Sequence, residues 1–229
     1  MKRIILAIAV TLGLCACESG LFGEVGNGVS MTQEIEVGDF DRISIPNFVD
    51  VYYTQTSDQQ SVSLTCDENL TEYYKIHVRD GELIVDCKRS FNNKIDTYVT
   101  VCSPVLNGVK LSGSGDLYID EAVTAEDIFT LEVNGSGDAD IAGITAESAT
   151  FRSSGSGDIE VDNLTAESIK VATTGSGDCI LKCKDAGTLD IQISGSGDIT
   201  ISGSARAIVN ISTTGSGDFN MNRLTLSGK

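Results

Sequence analysis

Six aspartates carry the most regular chemistry in this sequence, because each one ends a four-residue Gly-Ser-Gly-Asp motif. They are Asp116, Asp138, Asp158, Asp178, Asp198 and Asp218. The first interval is 138−116 = 22 residues, and each of the next four is 20 residues, as in 158−138. Carboxylates at such even intervals predict a ladder that either holds a turn or makes weak contacts with cations.

The composition of the motif favours the turn over the cation site. Calcium takes six to eight oxygen ligands, and one carboxylate per repeat supplies few of them. Calcium-binding β-rolls also use a nonapeptide period, which is absent here. Asp and Ser side chains accept hydrogen bonds from nearby backbone N–H groups, and we expect the glycines to provide positive φ angles at the corner.

The remaining reactive side chains predict no catalytic residue, metal site or cofactor. His77 is the only histidine and alternates with Ile76 and Val78, as expected of a strand residue at a surface or rim. The cysteines after residue 17 are odd in number, so at least one thiol is unpaired unless chains cross-link. These cysteines are Cys66, Cys87, Cys102, Cys179 and Cys183.

The spacing of these cysteines leaves their pairing open. Cys179 and Cys183 stand four residues apart in an extended segment, too far for a disulfide unless the chain bends. Cys179 also occupies a position that other repeats fill with apolar residues, so we expect it in the core. A Cys66–Cys87 bridge is an alternative that spacing alone does not decide. Zinc is not expected without Cys-x-x-Cys or histidine partners.

The elements that position the aspartates are strands, because apolar residues alternate on both sides of the motif. Seven residues before each aspartate stand Val109, Leu131, Phe151, Val171, Ile191 and Ile211. Three residues after it stand Ile119, Ile141, Val161, Leu181, Ile201 and Met221. Each repeat therefore predicts a strand, a Gly-Ser-Gly-Asp corner, a second strand and a second bend.

The fixed period predicts that the repeats stack on one another. Equivalent residues would then lie about 4.8 Å apart and form ladders inside a coil. One repeat cannot bury its own apolar face, whereas six stacked repeats share a continuous core. We predict an all-β, right-handed parallel β-helix with rungs of about 20 residues and an irregular N-terminal portion.

The N-terminal residues predict export and lipid attachment. Residues 1–16 combine a basic start with a short apolar run and small residues, which is typical of a secretory signal peptide. Leu14-Cys15-Ala16-Cys17 resembles a bacterial lipobox, which implies cleavage before Cys17 and acylation of its sulfur and amine. The alternative is a soluble secreted protein in which Cys17 merely lies near the cleavage site.

The mature chain divides into three predicted segments. Residues 17–31 form a lipidated, flexible tether, residues 32–110 form irregular β rungs or a cap, and residues 111–229 form the regular repeats. The formal net charge is −17. Removal of Lys2 and Arg3 with the signal peptide makes it 14 − 33 = −19. Such a surface repels nucleic acid, so no nucleic-acid partner is expected.

The order of these motifs resembles a known family. Gly38-Asp39-Phe40, then Gly81-Glu82-Leu83-Ile84-Val85, then the Ser-Gly-Ser-Gly-Asp rungs are similar to the putative auto-transporter adhesin, head GIN domain family. The likeness covers roughly residues 37–221. It implies a β-helical fold and an exported protein or lipoprotein of Bacteroidetes-type bacteria. It transfers no catalytic or ligand-binding residue to this chain.

Together these patterns predict a cell-envelope, outer-membrane lipoprotein, either periplasmic or surface-exposed, that acts as an adhesin or structural binding module. Its expected partners are the membrane, an extracellular glycan or protein, and a second copy at an open C-terminal rung. The alternatives are a polysaccharide lyase or hydrolase and a weak calcium-binding repeat protein. Arg152 and Arg206 are the only arginines between the first and last corner, and no Trp offers a sugar platform, so an enzyme is disfavoured.

Overall fold

The computed structural model describes residues 24–57, 59–88 and 91–228, and these residues are nearly all β. In this part of the chain, seventeen strands join into one continuous sheet. They are β1 (Ser30–Glu34), β2 (Arg42–Ile45), β3 (Asp50–Gln55), β4 (Ser61–Asp67), β5 (Tyr74–Arg79), β6 (Glu82–Cys87), β7 (Tyr98–Ser103), β8 (Gly108–Leu111), β9 (Leu117–Ile119), β10 (Val123–Thr124), β11 (Ile128–Val133), β12 (Ala139–Ile141), β13 (Ile144–Ser153), β14 (Ile159–Thr173), β15 (Cys179–Ile193), β16 (Ile199–Thr213) and β17 (Phe219–Leu226). A 3-10 helix, Glu68–Tyr73, follows β4.

The repeats stack in parallel and in register, one period apart. Ile159 of β14 lies between Ala139 of β12 and Cys179 of β15, and Cys179 lies in turn beside Ile199 of β16. Parallel coils of this kind form a β-solenoid of about six turns. The predicted fold class is therefore confirmed, and the right-handed sense of the coil stays a prediction.

Each regular rung consists of three straight segments. Along β14 buried side chains alternate except at two exposed pairs, residues 162–163 and 167–168, which interrupt the period-2 pattern. The pairing of β14 with β15 shifts register after Val161 and again after Leu164, as expected where a strand bends. The Gly-Ser-Gly-Asp corner separates the third segment from the next rung. Inward side chains such as Val161, Leu181 and Ile201 stack into one apolar core.

The N-terminal portion joins the stack out of chain order. β2 and β3 lie directly beneath β8 and β9, with Ile43 opposite Val109 and Val51 opposite Leu117. On their other side, β2 and β3 pair in parallel with β6 and β7. β2 and β3 therefore form one rung, and β6 and β7 form the rung outside it. The chain then returns to the opposite side of β2 and β3, where β8 and β9 begin the regular repeats. The boundaries at residues 31/32 and 110/111 stay predictions.

Antiparallel strands cover the first end of the solenoid. β4 pairs antiparallel with β1 and β7, and β5 pairs antiparallel with β6. The β5–β6 turn places Asp80 (φ 53°) and Gly81 (φ 74°) in the left-handed region, which suits an Asp-Gly hairpin turn. These strands satisfy backbone groups that an open solenoid edge would leave unpaired.

The other end of the described stack is open. β16 pairs with β15 along its length but with β17 only from Ile199 to Ala205. Large apolar side chains reach solvent there, namely Val209, Ile211, Met221 and Leu226, which are 63%, 46%, 44% and 48% exposed.

No helix in the described ranges is long and apolar enough to cross a bilayer. The predicted signal peptide, Cys17 and the tether up to residue 23 lie outside the described residues.

Candidate functional site

The six corner aspartates stack in one column, and a seventh, Asp50, extends it. In each corner the backbone N–H of the aspartate donates to Oδ1 of the aspartate one rung earlier, over 2.7–2.9 Å. Asp50 accepts the N–H of Asp116 at 2.9 Å. Asp50 was missed in the sequence because residues 47–50 lack the glycines, although Asp50-Val51-Tyr52 parallels Asp116-Leu117-Tyr118.

These hydrogen bonds offset the repulsion between the like charges of the column. Neighbouring unit charges about 4.8 Å apart repel by about 0.9 kcal/mol in water. A hydrogen bond to a charged group contributes about 1.5–3 kcal/mol, which outweighs that repulsion. Among the described residues, no group of three or more His, Cys, Asp or Glu side chains is placed to hold a metal ion. Weak cation contact along the column stays a prediction.

The corner glycines serve close packing, so the expectation of positive φ angles at the corners was wrong. The left-handed glycines in the described chain are Gly28, Gly81 and Gly203, all outside the motif. A Cβ atom built on Gly155 would lie 1.8 Å from the carbonyl oxygen of Gly135. Glycine is required because the backbones of successive corners lie directly on one another, which leaves no room for any side chain.

Three tyrosines form a cluster on the outside of the first rungs. Tyr52 and Tyr118 lie opposite each other on β3 and β9, with ring centroids 4.8 Å apart and planes 17° apart. Tyr98 of β7 meets Tyr52 edge-on, at 5.5 Å and 81°. These tyrosines are not among the residues that the sequence motifs predict for the site. The recurring Asp-x-Tyr pattern was the signal available, and only the pairing of β7 with β3 brings Tyr98 to it.

Carboxylates surround this tyrosine cluster and shift the pKa values within it. Burial and the charge of Asp116 raise the pKa of Tyr118 to about 12, and the Tyr118 hydroxyl donates to Oδ2 of Asp116 at 3.2 Å. Burial, followed by the charge of Asp50, raises the pKa of Tyr52. The pKa of Asp50 is itself raised by burial and by the charges of Asp116 and Asp96. The cluster therefore combines neutral rings with concentrated negative charge.

The thiols and the histidine of the described chain do not suggest a reactive site. Cys179 and Cys183 are buried in the core, and burial raises the pKa of Cys183 to about 11. Cys66 is a free thiol, so the alternative of a Cys66–Cys87 disulfide is wrong. His77 lies half-buried on β5, opposite Ile84 of β6, as expected of a rim residue.

The two arginines weighed for polysaccharide chemistry form ion pairs with glutamates. Arg152 contacts Glu132 at 3.3 Å, and Arg206 contacts Glu167 at 3.2 Å. Both pairs are exposed, so each contributes at most about 1 kcal/mol to stability. The arginines are therefore partnered by surface glutamates instead of completing a site with the corner aspartates.

Solved structures share this fold. A crystal structure of a putative adhesin from Bacteroides fragilis is 22% identical, with a TM-score of 0.71 over 87% of this chain and 100% of that chain. A putative adhesin from Parabacteroides distasonis is 20% identical, with a TM-score of 0.60 and coverage of 87% and 99%. A putative lipid binding protein from the same species is 22% identical, with a TM-score of 0.54 and coverage of 86% and 98%. At such identities the likeness shows the fold alone.

A comparison with family models is more specific. A search of the curated proteins returns no match. The model described as putative auto-transporter adhesin, head GIN domain matches residues 39–162 and 150–228. Together the two matches span residues 39–228, which is 228 − 39 + 1 = 190 of the 229 residues. With its stacked corners and this match over most of its length, the chain belongs to the putative auto-transporter adhesin, head GIN domain family.

Proposed function

We propose that this protein is a lipid-anchored, non-catalytic binding module of the cell envelope that acts as an adhesin. The carrying observation is the exposed column of corner aspartates beside the tyrosine cluster, fixed in place by backbone hydrogen bonds. Because the core is filled with apolar side chains, binding has to use these outer faces. A surface that is already ordered loses little conformational entropy when it binds, which favours recognition.

The anchor in this proposal is Cys17. Cleavage after residue 16 would leave Cys17 as the acylated N-terminus, and several acyl chains hold a protein stably where one chain is marginal. The residues between Cys17 and the start of β1 at Ser30 would then connect the outer membrane to the first strands. Membership in an adhesin family supports placement at the cell envelope.

The test of this proposal is adhesion by cells that display the full-length chain. A Bacteroidetes-type bacterial strain that expresses the protein is compared with the same strain lacking it. The measurement is the retention of cells on surfaces coated with glycans and matrix proteins. We expect retention only of the expressing cells, and we expect Cys17→Ser to move the protein out of the membrane fraction and abolish retention. Equal retention of both strains would refute the adhesin role.

The rival enzymatic function is tested separately. The purified full-length protein is incubated with pectin, alginate and glycosaminoglycans, and the mixtures are assayed for reducing ends and unsaturated products. We expect neither product to appear, because the two candidate arginines pair with Glu132 and Glu167. Time-dependent formation of either product would replace the binding module with a polysaccharide-active enzyme.

A further inference from the structure

A concavity of about 460 Å³ opens beside the tyrosine cluster. Its walls are formed by Asp50, Tyr52, Asp96, Thr97 and Tyr98. Because the two rings stand 81° apart, they form adjoining aromatic walls. Tyr118 stacks on Tyr52 from the neighbouring strand on the other side, while Tyr98 meets Tyr52 only edge-on and Tyr52 stays 40% exposed. The concavity is therefore aromatic on two sides and built on paired strands.

The concavity also carries negative charge without a basic partner among the described residues. The carboxylates of Asp41, Glu132, Glu160, Asp162, Glu167 and Asp190 form ion pairs elsewhere on the surface. Neither Asp50 nor Asp96 belongs to that set. The charges of Asp116 and Asp96 act on Asp50, which is itself partly buried. A bound cation would relieve this like-charge repulsion, since opposite charges favour the ionised carboxylate.

We propose that this concavity binds an organic cation carrying an alkylated ammonium group, such as choline. An ammonium group within about 6 Å of a tyrosine ring centroid is attracted by the ring face, and two rings with carboxylates make a partial aromatic cage. A volume of about 460 Å³ exceeds the size of the ammonium head, so part of the attached molecule also fits.

Other ligand classes use fewer of these features. A bare metal ion prefers several oxygen ligands, and the rings supply none. A neutral sugar gains from contact with the rings but nothing from the uncompensated carboxylates. This inference rests on the proposed binding function and does not depend on the lipid anchor.

The test is titration of the purified full-length protein with choline chloride, followed by saturation-transfer NMR of the choline methyl groups and by calorimetry. Sodium chloride at the same ionic strength is the reference. We expect saturable binding that Tyr52→Leu weakens about tenfold, because leucine keeps apolar bulk but lacks the ring quadrupole. Asp96→Asn weakens binding several-fold, whereas Asp127→Asn, an exposed carboxylate outside the concavity, leaves it unchanged.

Three results would overturn this assignment. They are unchanged choline affinity in a Tyr52→Leu protein that melts like the wild type, equal heats with sodium chloride, and binding of a neutral oligosaccharide in place of choline. Vesicles identify the source of the cation: sedimentation with phosphatidylcholine but not phosphatidylglycerol indicates a lipid headgroup, and binding of free choline alone indicates a soluble ligand. If the wild-type protein does not bind choline but still supports cell adhesion, the cation assignment is refuted and the adhesin function is not affected.

Discussion

At the scale of single residues, backbone stacking restricts this chain more tightly than side-chain chemistry does. In a β-solenoid each corner lies on the previous one, so a single methyl group at the wrong position meets a backbone carbonyl and not a flexible side chain. The corner glycines and aspartates each make the close stacking of the corners possible. Glycine permits the close approach, and the aspartate carboxylate accepts the N–H that the corner directs toward it.

We expect Gly155→Ala to destabilise the protein strongly. The added Cβ would lie 1.8 Å from the carbonyl oxygen of Gly135, so the rungs must separate locally. Overpacking of this kind costs about 1–3 kcal/mol and sometimes more. The measurement is the urea midpoint by circular dichroism.

Gly38→Ala is the matched control, because a Cβ at Gly38 meets nothing within 4 Å and its φ is not left-handed. We expect that change to be neutral or slightly stabilising, since it restricts the unfolded chain. Equal urea midpoints for the two variants would contradict the close-packing explanation of the corners.

At the scale of elements, a single buried carboxylate connects the strands that cover the first end of the solenoid. Asp67, at the end of β4, is fully buried and accepts N–H groups from Gly28 at 2.6 Å, Lys94 at 2.9 Å and Ile95 at 3.3 Å. It therefore joins the segment before β1 to the segment before β7. Burial alone would raise the pKa of Asp67, but these N–H groups and the Lys94 charge hold it below the ordinary value of 3.8.

We expect this junction to open in acid. Because the pKa of Asp67 is lower in the folded state, its contribution is fully present above the unfolded value of 3.8 and is lost as pH falls through the lower, folded value. Asp67→Asn should lower the free energy of unfolding by about 1–3 kcal/mol at pH 7, since an amide replaces the carboxylate that accepts these hydrogen bonds. Below pH 3.8 the difference in free energy of unfolding between the variant and the wild type should shrink.

Hydrogen exchange locates the effect of Asp67. At pH 7 the amides of residues 28, 94 and 95 should exchange faster in Asp67→Asn than in the wild type, while those of β14 do not change. Asp127→Asn, at an exposed position, is the control. A constant stability difference between Asp67→Asn and wild type from pH 7 to pH 3 would show that Asp67 ionisation does not hold this junction.

At the scale of the whole molecule, the two ends of the described stack differ. Antiparallel strands cover one end, whereas the other presents the unpaired edge of residues 208–213 with exposed Val209 and Ile211. An edge of this kind can pair with another strand. The high negative charge opposes association, so any pairing should strengthen with salt.

We expect the full-length protein to self-associate through this end. With Cys17→Ser to prevent the proposed lipid attachment, light scattering should give a mass that rises with protein and salt concentration. Val209→Lys should return the mass to that of a monomer, because a charged edge strand resists pairing. Ile128→Lys, at a residue 57% exposed on β11, should have no effect. A monomer at all concentrations would refute pairing at this edge.

Much of the solenoid follows from the sequence alone. Five intervals of 20 or 22 residues, with apolar residues at the same offsets, require equivalent positions to stack, since no single repeat buries its own apolar face. The prediction that Cys179 lies in the core is also confirmed, because other repeats have apolar residues at the same position. Each of these inferences depends only on residues one period apart.

Only the tertiary structure decided which residues share the first rungs. Asp50, Tyr52 and Tyr98 come together because β3 lies between β7 and β9, an order that differs from their order in the chain. The glycine requirement was assigned to the wrong cause because a φ angle is a local property, whereas the carbonyl that excludes a Cβ belongs to the preceding rung. A repeat encodes contacts between equal positions, but contacts between unlike segments depend on the path of the folded chain.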